Sequence, residues 1–116
     1  MDIKTVNTIL YCKKWDETAA FYKTKLKLKV CFSSEWFIEF KINEGSCLSI
    51  ADEERASIGS SEGKGITITM RVNDINAAYL ELTEAGLNPT NIKDHPWGAK
   101  VIYLYDPEGH RLEFWS

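Results

Sequence analysis

The chain is nearly written twice. FIEFKINEGSCLSIA (37–51) can be laid over VIYLYDPEGHRLEFW (101–115) at a displacement of 64 positions. Ile38 then meets Ile102, Glu44-Gly45 meets Glu108-Gly109, and Leu48 meets Leu112. NTILYCKKW (7–15) falls on TITMRVNDI (67–75) at a displacement of 60. A self-match of this kind restricts the fold to two copies of one unit, because each copy must be able to adopt the same local structure.

Residue patterns say what the unit is. Between Lys4 and Lys13, Val6, Thr8, Leu10 and Cys12 alternate with Asn7, Ile9 and Tyr11, which is the period of a strand. Asp16 is expected to cap a helix running to about Lys27, with Phe21, Tyr22 and Leu26 turned to the sheet. Residues 28–33, 35–42 and 46–51 read as strands, with Asn43-Glu44-Gly45 as a turn. A polar, Gly/Ser-rich stretch, DEERASIGSSEGK (52–64), separates the copies. In the second copy, residues 65–73 alternate strictly. A helix starts at Asn73 or Asp74 and ends at the C-capping Gly86. Residues 87–93 read as a short strand or extended segment, and 99–105 with 110–115 as a closing hairpin. The expected fold is therefore α+β, a single 116-residue domain of two βαβββ modules. Module one covers about 1–52, the linker about 53–64 and module two about 65–116.

Asp106-Pro107-Glu108-Gly109 has the chemistry of a type I turn followed by a left-handed glycine. That turn sets Tyr105 opposite Arg111, Leu104 opposite Leu112 and Tyr103 opposite Glu113. Ile102, Leu104, Leu112 and Phe114 then share a face that packs on helices. Tyr103, Tyr105, Arg111, Glu113 and Trp115 share the other face, and the repeat puts Phe37, Glu39, Lys41, Cys47, Ser49 and Ala51 on its counterpart. A flat exposed face this aromatic would be an apolar patch, so the sheet is expected to curl into a groove. Asn7, Ser49, Thr67 and Glu113 would converge inside it.

Composition removes several functions. A net charge of -3, with one basic run (Lys23, Lys25, Lys27, Lys29), argues against nucleic acid. Cys12, Cys31 and Cys47 are too few and scattered for a disulfide framework or a metal knuckle. No stretch has the pattern of a signal peptide or a membrane span, so the expected compartment is the cytoplasm. There is no phosphate-binding glycine loop, and no Ser or Cys nucleophile has a visible His partner.

WGAKVIYLYDPEGHRLEFWS (97–116) resembles the closing hairpin of the glyoxalase/bleomycin-resistance/extradiol-dioxygenase family, the vicinal oxygen chelate superfamily. VNTILYCKKWDETAAFYKTKLKLKV (6–30) resembles its opening strand and helix, including the pair Phe21-Tyr22. The resemblance implies a cup-shaped mixed sheet with helices on its outer face, and a homodimer. Enzymatic members hold a divalent metal through His, Glu or Gln on strands one, four, five and eight. Those positions fall on Asn7, Ser49, Thr67 and Glu113, of which only Glu113 keeps a usual ligand type. Lys27 stands where members often have a helix-ending glycine.

One carboxylate with three neutral side chains is a weak donor set for a divalent ion. His95 precedes Pro96 in a loop, and His110 is expected to point away from Glu113. The reading that follows is a metal-free protein that binds a small organic molecule, with no cofactor. Its ligand-binding residues would be Tyr11, Phe37, Glu39, Ser49, Thr67, Arg71, Trp97, Tyr103, Glu113 and Trp115. Two alternatives stay open. One is a metal-dependent lyase, isomerase or dioxygenase with Glu113 as surviving ligand and candidate catalytic residue. The other is a dimeric scaffold in which Glu113 pairs with Arg71 or Arg111 and nothing binds.

Overall fold

The computed structural model describes all residues from Met1 to Ser116. The chain divides into two compact units, Met1–Glu62 and Gly63–Ser116. The first contains β1 (Val6–Cys12), α1 (Trp15–Ala20) with a π-helical continuation (Phe21–Lys25), β2 (Lys29–Ser33), β3 (Phe37–Asn43) and β4 (Ser46–Asp52). The second contains β5 (Thr67–Arg71), α2 (Ile75–Glu84), β6 (Lys93–Asp94), β7 (Lys100–Tyr105) and β8 (Arg111–Trp115). Each unit is thus βαβββ, and the class is α+β.

The ladders close within each unit and give two four-stranded mixed sheets, ordered β1-β4-β3-β2 and β5-β8-β7-β6. In both, the first and last strands of the unit run parallel and the other pairs run antiparallel. Asn7 lies opposite Cys47, and Thr67 opposite Arg111. These are the pairs that the sequence repeat superimposes, so both copies use one register.

Strand alternation sorts the faces. Leu10, Ile38, Phe40, Leu48 and Ile50 point to the helix of the first unit, where Phe21 and Tyr22 are also buried. The Tyr22 ring stands edge-on to Phe21, with centroids 5.0 Å apart, and 6.1 Å from Phe40. Ile102, Leu104, Leu112 and Phe114 do the same in the second unit with Ile75 and Leu82 of α2. Each such side chain stabilises by about 1.5–3 kcal/mol on burial. No helix is long and apolar enough to cross a membrane.

The first helix departs from expectation. It begins at Trp15, with Lys14 at the N-cap and no capping side chain, so Asp16 sits inside the first turn. There its charge still favours the helix N-terminus. The α-helix ends at Ala20, and the next turn widens to π geometry, closed by the Leu26 N–H on the Phe21 carbonyl. Lys27 then adopts φ 56°, the left-handed conformation of a helix-ending position, without being glycine. In α2, Asp74 is the cap, and its carboxylate accepts from the N–H groups of Asn76 and Ala77.

Of the short strand or extended segment expected at 87–93, only the end pairs as a strand, at Lys93–Asp94. Pro89 lacks an N–H, which breaks a ladder at that point. Thr90 instead fastens the segment to Tyr103 through its backbone N–H and its hydroxyl. The β7–β8 hairpin keeps the expected pairs Tyr105–Arg111, Leu104–Leu112 and Tyr103–Glu113. Gly109 takes φ 104°. Asp106 Oδ1 accepts from the N–H groups of Glu108, Gly109 and His110, while Oδ2 holds His110 Nδ1 at 2.8 Å. His110 is 1% exposed, so its ring belongs to the hairpin interior.

Candidate functional site

On the helix-free face of the first unit, Ser49 is fully buried and its hydroxyl donates to Asn7 Oδ1 at 2.8 Å. Asn7 in turn offers Nδ2 to Glu39 Oε1 at a long 3.5 Å. Glu39 lies beside Cys47; burial first, and then the Glu39 charge, push that thiol above its ordinary pKa. A thiol held protonated is a poor nucleophile. Phe37 packs its ring against Trp36 and Phe32, at 5.8 and 6.3 Å between centroids, and Tyr11 is half-buried on β1.

The corresponding face of the second unit centres on Glu113. Thr69 donates its hydroxyl to Glu113 Oε1 at 2.5 Å. The Tyr103 phenol also hydrogen-bonds to Glu113, and that bond, ahead of partial burial and the carboxylate charge, raises the phenol pKa above its usual value. Neither arginine pairs with Glu113. Arg111 donates Nε to Thr67 Oγ1 at 3.0 Å and lies over the Tyr103 ring, 4.9 Å from its centroid. Arg71 lies over Trp115 at 5.0 Å. Both guanidiniums prefer an aromatic face within reach on the neighbouring strand to an ion pair exposed to water, which is worth little.

The parallel register explains which threonine serves the carboxylate. Thr69, not Thr67, is opposite Glu113. Alternation fixes the face a residue occupies but leaves register open by steps of two, and so Thr69 escaped notice in the sequence.

Beside Glu113 is a cavity of about 170 Å³, lined by His95, Trp97, Ala99, Val101, Glu113 and Trp115. Trp97 is 78% exposed and forms its rim, its ring tilted against that of the half-buried His95 at 5.1 Å between centroids. Trp115 and Val101 are cross-strand partners and make the floor. His95 carries no sequence signal for this role, because the 95–99 turn brings it in from outside the strand pattern; Ala99 and Val101 lie in the expected strand 99–105 on the face of Tyr103, so alternation could have found them. His95 N–H bonds the Ala99 carbonyl and Gly98 N–H the His95 carbonyl, which folds that turn over the sheet.

The donors at the four superfamily positions do not fit a divalent ion. Ser49 and Asn7 are neutral and satisfy each other. Thr67 is occupied by Arg111, and Glu113 is the one carboxylate among the four. Nor do three His, Cys, Asp or Glu side chains come together anywhere in a way that could hold a metal. Such an ion needs several anionic or imidazole donors to replace its hydration.

The Tyr103–Glu113 bond has a direct readout. Among the five tyrosines, Tyr103 is expected to ionise later than an ordinary phenol in an ultraviolet titration, because losing its proton breaks the bond and sets two anions together. Since the folded-state value is the raised one, this contribution to stability is complete below the ordinary tyrosine range near 10 and disappears as pH rises past it. Glu113→Gln should return the late phenol toward the others. An unchanged titration in that variant would contradict the bond.

A model of the Glyoxalase/Bleomycin resistance protein/Dioxygenase superfamily matches residues 4–114. Among solved structures, the chain is similar to a glyoxalase/bleomycin resistance protein/dioxygenase from Nocardioides (TM-score 0.81, 22% identity, 99% of this chain and 83% of that one). It is also similar to lactoylglutathione lyase from Agrobacterium tumefaciens (TM-score 0.78, 17% identity, 95% and 90%). A third similar structure is the bleomycin resistance determinant encoded on the transposon Tn5 (TM-score 0.74, 18% identity, 95% and 94%). At these identities the structural likeness speaks to fold and not to activity. No curated protein matches the chain by sequence.

Proposed function

We propose that this chain, which belongs to the glyoxalase/bleomycin resistance protein/dioxygenase superfamily, binds a small organic molecule without a metal, in the cavity between Glu113, Trp115 and Trp97. One observation carries the reading. Glu113 is an acceptor in an aromatic-walled pocket, and its only donors are the two hydroxyls of Thr69 and Tyr103. A carboxylate has about four acceptor sites, so it retains capacity for a donor brought by a ligand. The cavity of about 170 Å³ accommodates a single ring with short substituents. Trp115 and Trp97 supply flat apolar surface to it, and Glu113 selects a ring that carries an amine or ammonium. The metal-dependent reading lacks donors. A dimer in the cytoplasm suits the superfamily and belongs to the same proposal.

Benzylamine tests this. Saturable binding, followed by calorimetry, is expected for the unmodified protein. Glu113→Gln should weaken it by roughly tenfold or more, the worth of a charge-assisted hydrogen bond. Absence of saturable binding, or equal affinity in the variant, counts against the pocket. Dialysis against Ni, Zn, Mn and Fe(II) tests the metal-free part. Stoichiometric metal that disappears in Glu113→Ala would overturn it.

A further inference from the structure

Arg71 is the cation next to this pocket, and it has no anionic partner. The one contact of note for its side chain is the Trp115 ring beneath it; the guanidinium makes no hydrogen bond or ion pair with the rest of the protein. An arginine laid flat on an indole has its five N–H donors in a fixed plane, with less rotamer freedom left to lose. On its outer side is a polar hollow shared with Val72, Asn73 and Ser116. On the other side of Trp115 lies the apolar cavity, since Arg71 on β5 and Val101 on β7 flank that residue across the sheet. Glu113 is one alternation step before Trp115 on β8. The face therefore presents an unpaired carboxylate, a flat indole and an unpaired guanidinium in sequence.

We infer that the ligand class is a small zwitterion. It would have a flat apolar body against Trp115, an amine or ammonium on Glu113, and an anionic oxygen group, carboxylate or phosphate, on the Arg71 fork. Arg71 and Glu113 are diagonal neighbours on the parallel strands β5 and β8; from the spacing between strands and the rise of two residues their Cα atoms start roughly 8 Å apart, a span that one para-substituted ring bridges. Each end of such a molecule finds a charge that the protein leaves uncompensated, and its body covers the indole between them. The two charges of the protein do not meet each other, since Arg71 and Glu113 form no ion pair within 4.0 Å. Trp115 holds the guanidinium one step away.

This inference rests on the pocket reading above, and the two fail differently. The probes are benzylamine, 4-methylbenzylamine and 4-(aminomethyl)benzoate, each titrated by calorimetry at low and at high salt. The carboxylate-bearing probe is expected to bind about tenfold tighter than its methyl counterpart, with the advantage shrinking as salt screens the exposed guanidinium. Arg71→Gln should remove that advantage, so that 4-(aminomethyl)benzoate and 4-methylbenzylamine bind the variant with equal affinity. Arg71→Lys should restore it only in part, because an ammonium lacks the fork. A phosphonate in place of the carboxylate distinguishes which oxygen group the fork prefers, and tighter binding by either supports the inference. If the two simple amines bind and the carboxylate gives no gain, the zwitterion is wrong and the pocket stands. If Arg71→Gln weakens all three probes equally, Arg71 serves only to hold Trp115, and the inference also fails. If none of the three binds, both readings fall.

Discussion

Gly63→Ala is expected to unfold the second unit at temperatures where the parent is folded. Gly63 has φ 82°, and a Cβ built on it would stand 2.1 Å from the Gly109 carbonyl oxygen and 2.7 Å from the His110 nitrogen. All the nearby atoms are backbone, so no side chain can swing away. The conflict has to be relieved by moving the β7–β8 turn itself, which is pinned by the buried Asp106–His110 pair. A loss of about 4 kcal/mol or more follows, in the range reserved for gross steric conflict. In thermal denaturation followed by circular dichroism this corresponds to a fall on the order of 15 °C. Gly65→Ala is the control. Gly65 has φ 74° but nothing within 4 Å of its built Cβ. It should show only the conformational penalty of a non-glycine residue in the left-handed region, about 1–2 kcal/mol. Equal effects at the two positions would mean that the backbone contact at Gly109 carries no energy.

Asp106→Ala is expected to have the next largest effect, about 3–5 kcal/mol, for a different reason. The carboxylate is buried and serves four donors, three N–H groups of the turn and the His110 ring. Deleting it leaves these groups without that acceptor in a place water does not reach, and breaking a buried pair from one side is far worse than never having built it. Asp106→Asn keeps an oxygen for the three N–H groups and an amide that can face His110 Nδ1, so it should lose well under half as much. Urea titration of the two variants gives the comparison. Similar losses for Ala and Asn would show that the negative charge, rather than the hydrogen-bond pattern, is what the hairpin needs. Because Glu113 and Trp115 follow this turn on β8, the turn also sets where the candidate pocket stands.

Much of this was readable before any coordinates. The hairpin pairs Tyr103–Glu113 and Leu104–Leu112 depend on a local turn whose residues have few other uses. The start of the second helix, expected at Asn73 or Asp74 and found at Asp74, is likewise a local matter. Alternation also placed Glu113, Trp115, Arg71 and Thr67 on one face. What alternation leaves open is how far one strand slides along its neighbour, and a slide by two keeps every residue on its face. That is why Thr69, rather than Thr67, serves Glu113. It also could not say whom an arginine chooses. Arg71 and Arg111 each had a carboxylate and an aromatic ring in prospect, and the choice of ring depends on distances of a few ångströms between side chains.

The sequence by itself determined that the chain is a doubled βαβββ unit, that each sheet has one apolar face, and that the last strand carries a carboxylate among aromatics. These follow from periodicity and turn chemistry, which act over a few residues. Only the tertiary structure decided that His95 and Trp97 line a cavity with Glu113, that Gly63 touches the backbone of a turn far along the chain, and that both arginines remain unspent on the carboxylate. Contacts between residues distant in sequence depend on where packed elements bring them, and no local rule carries that information.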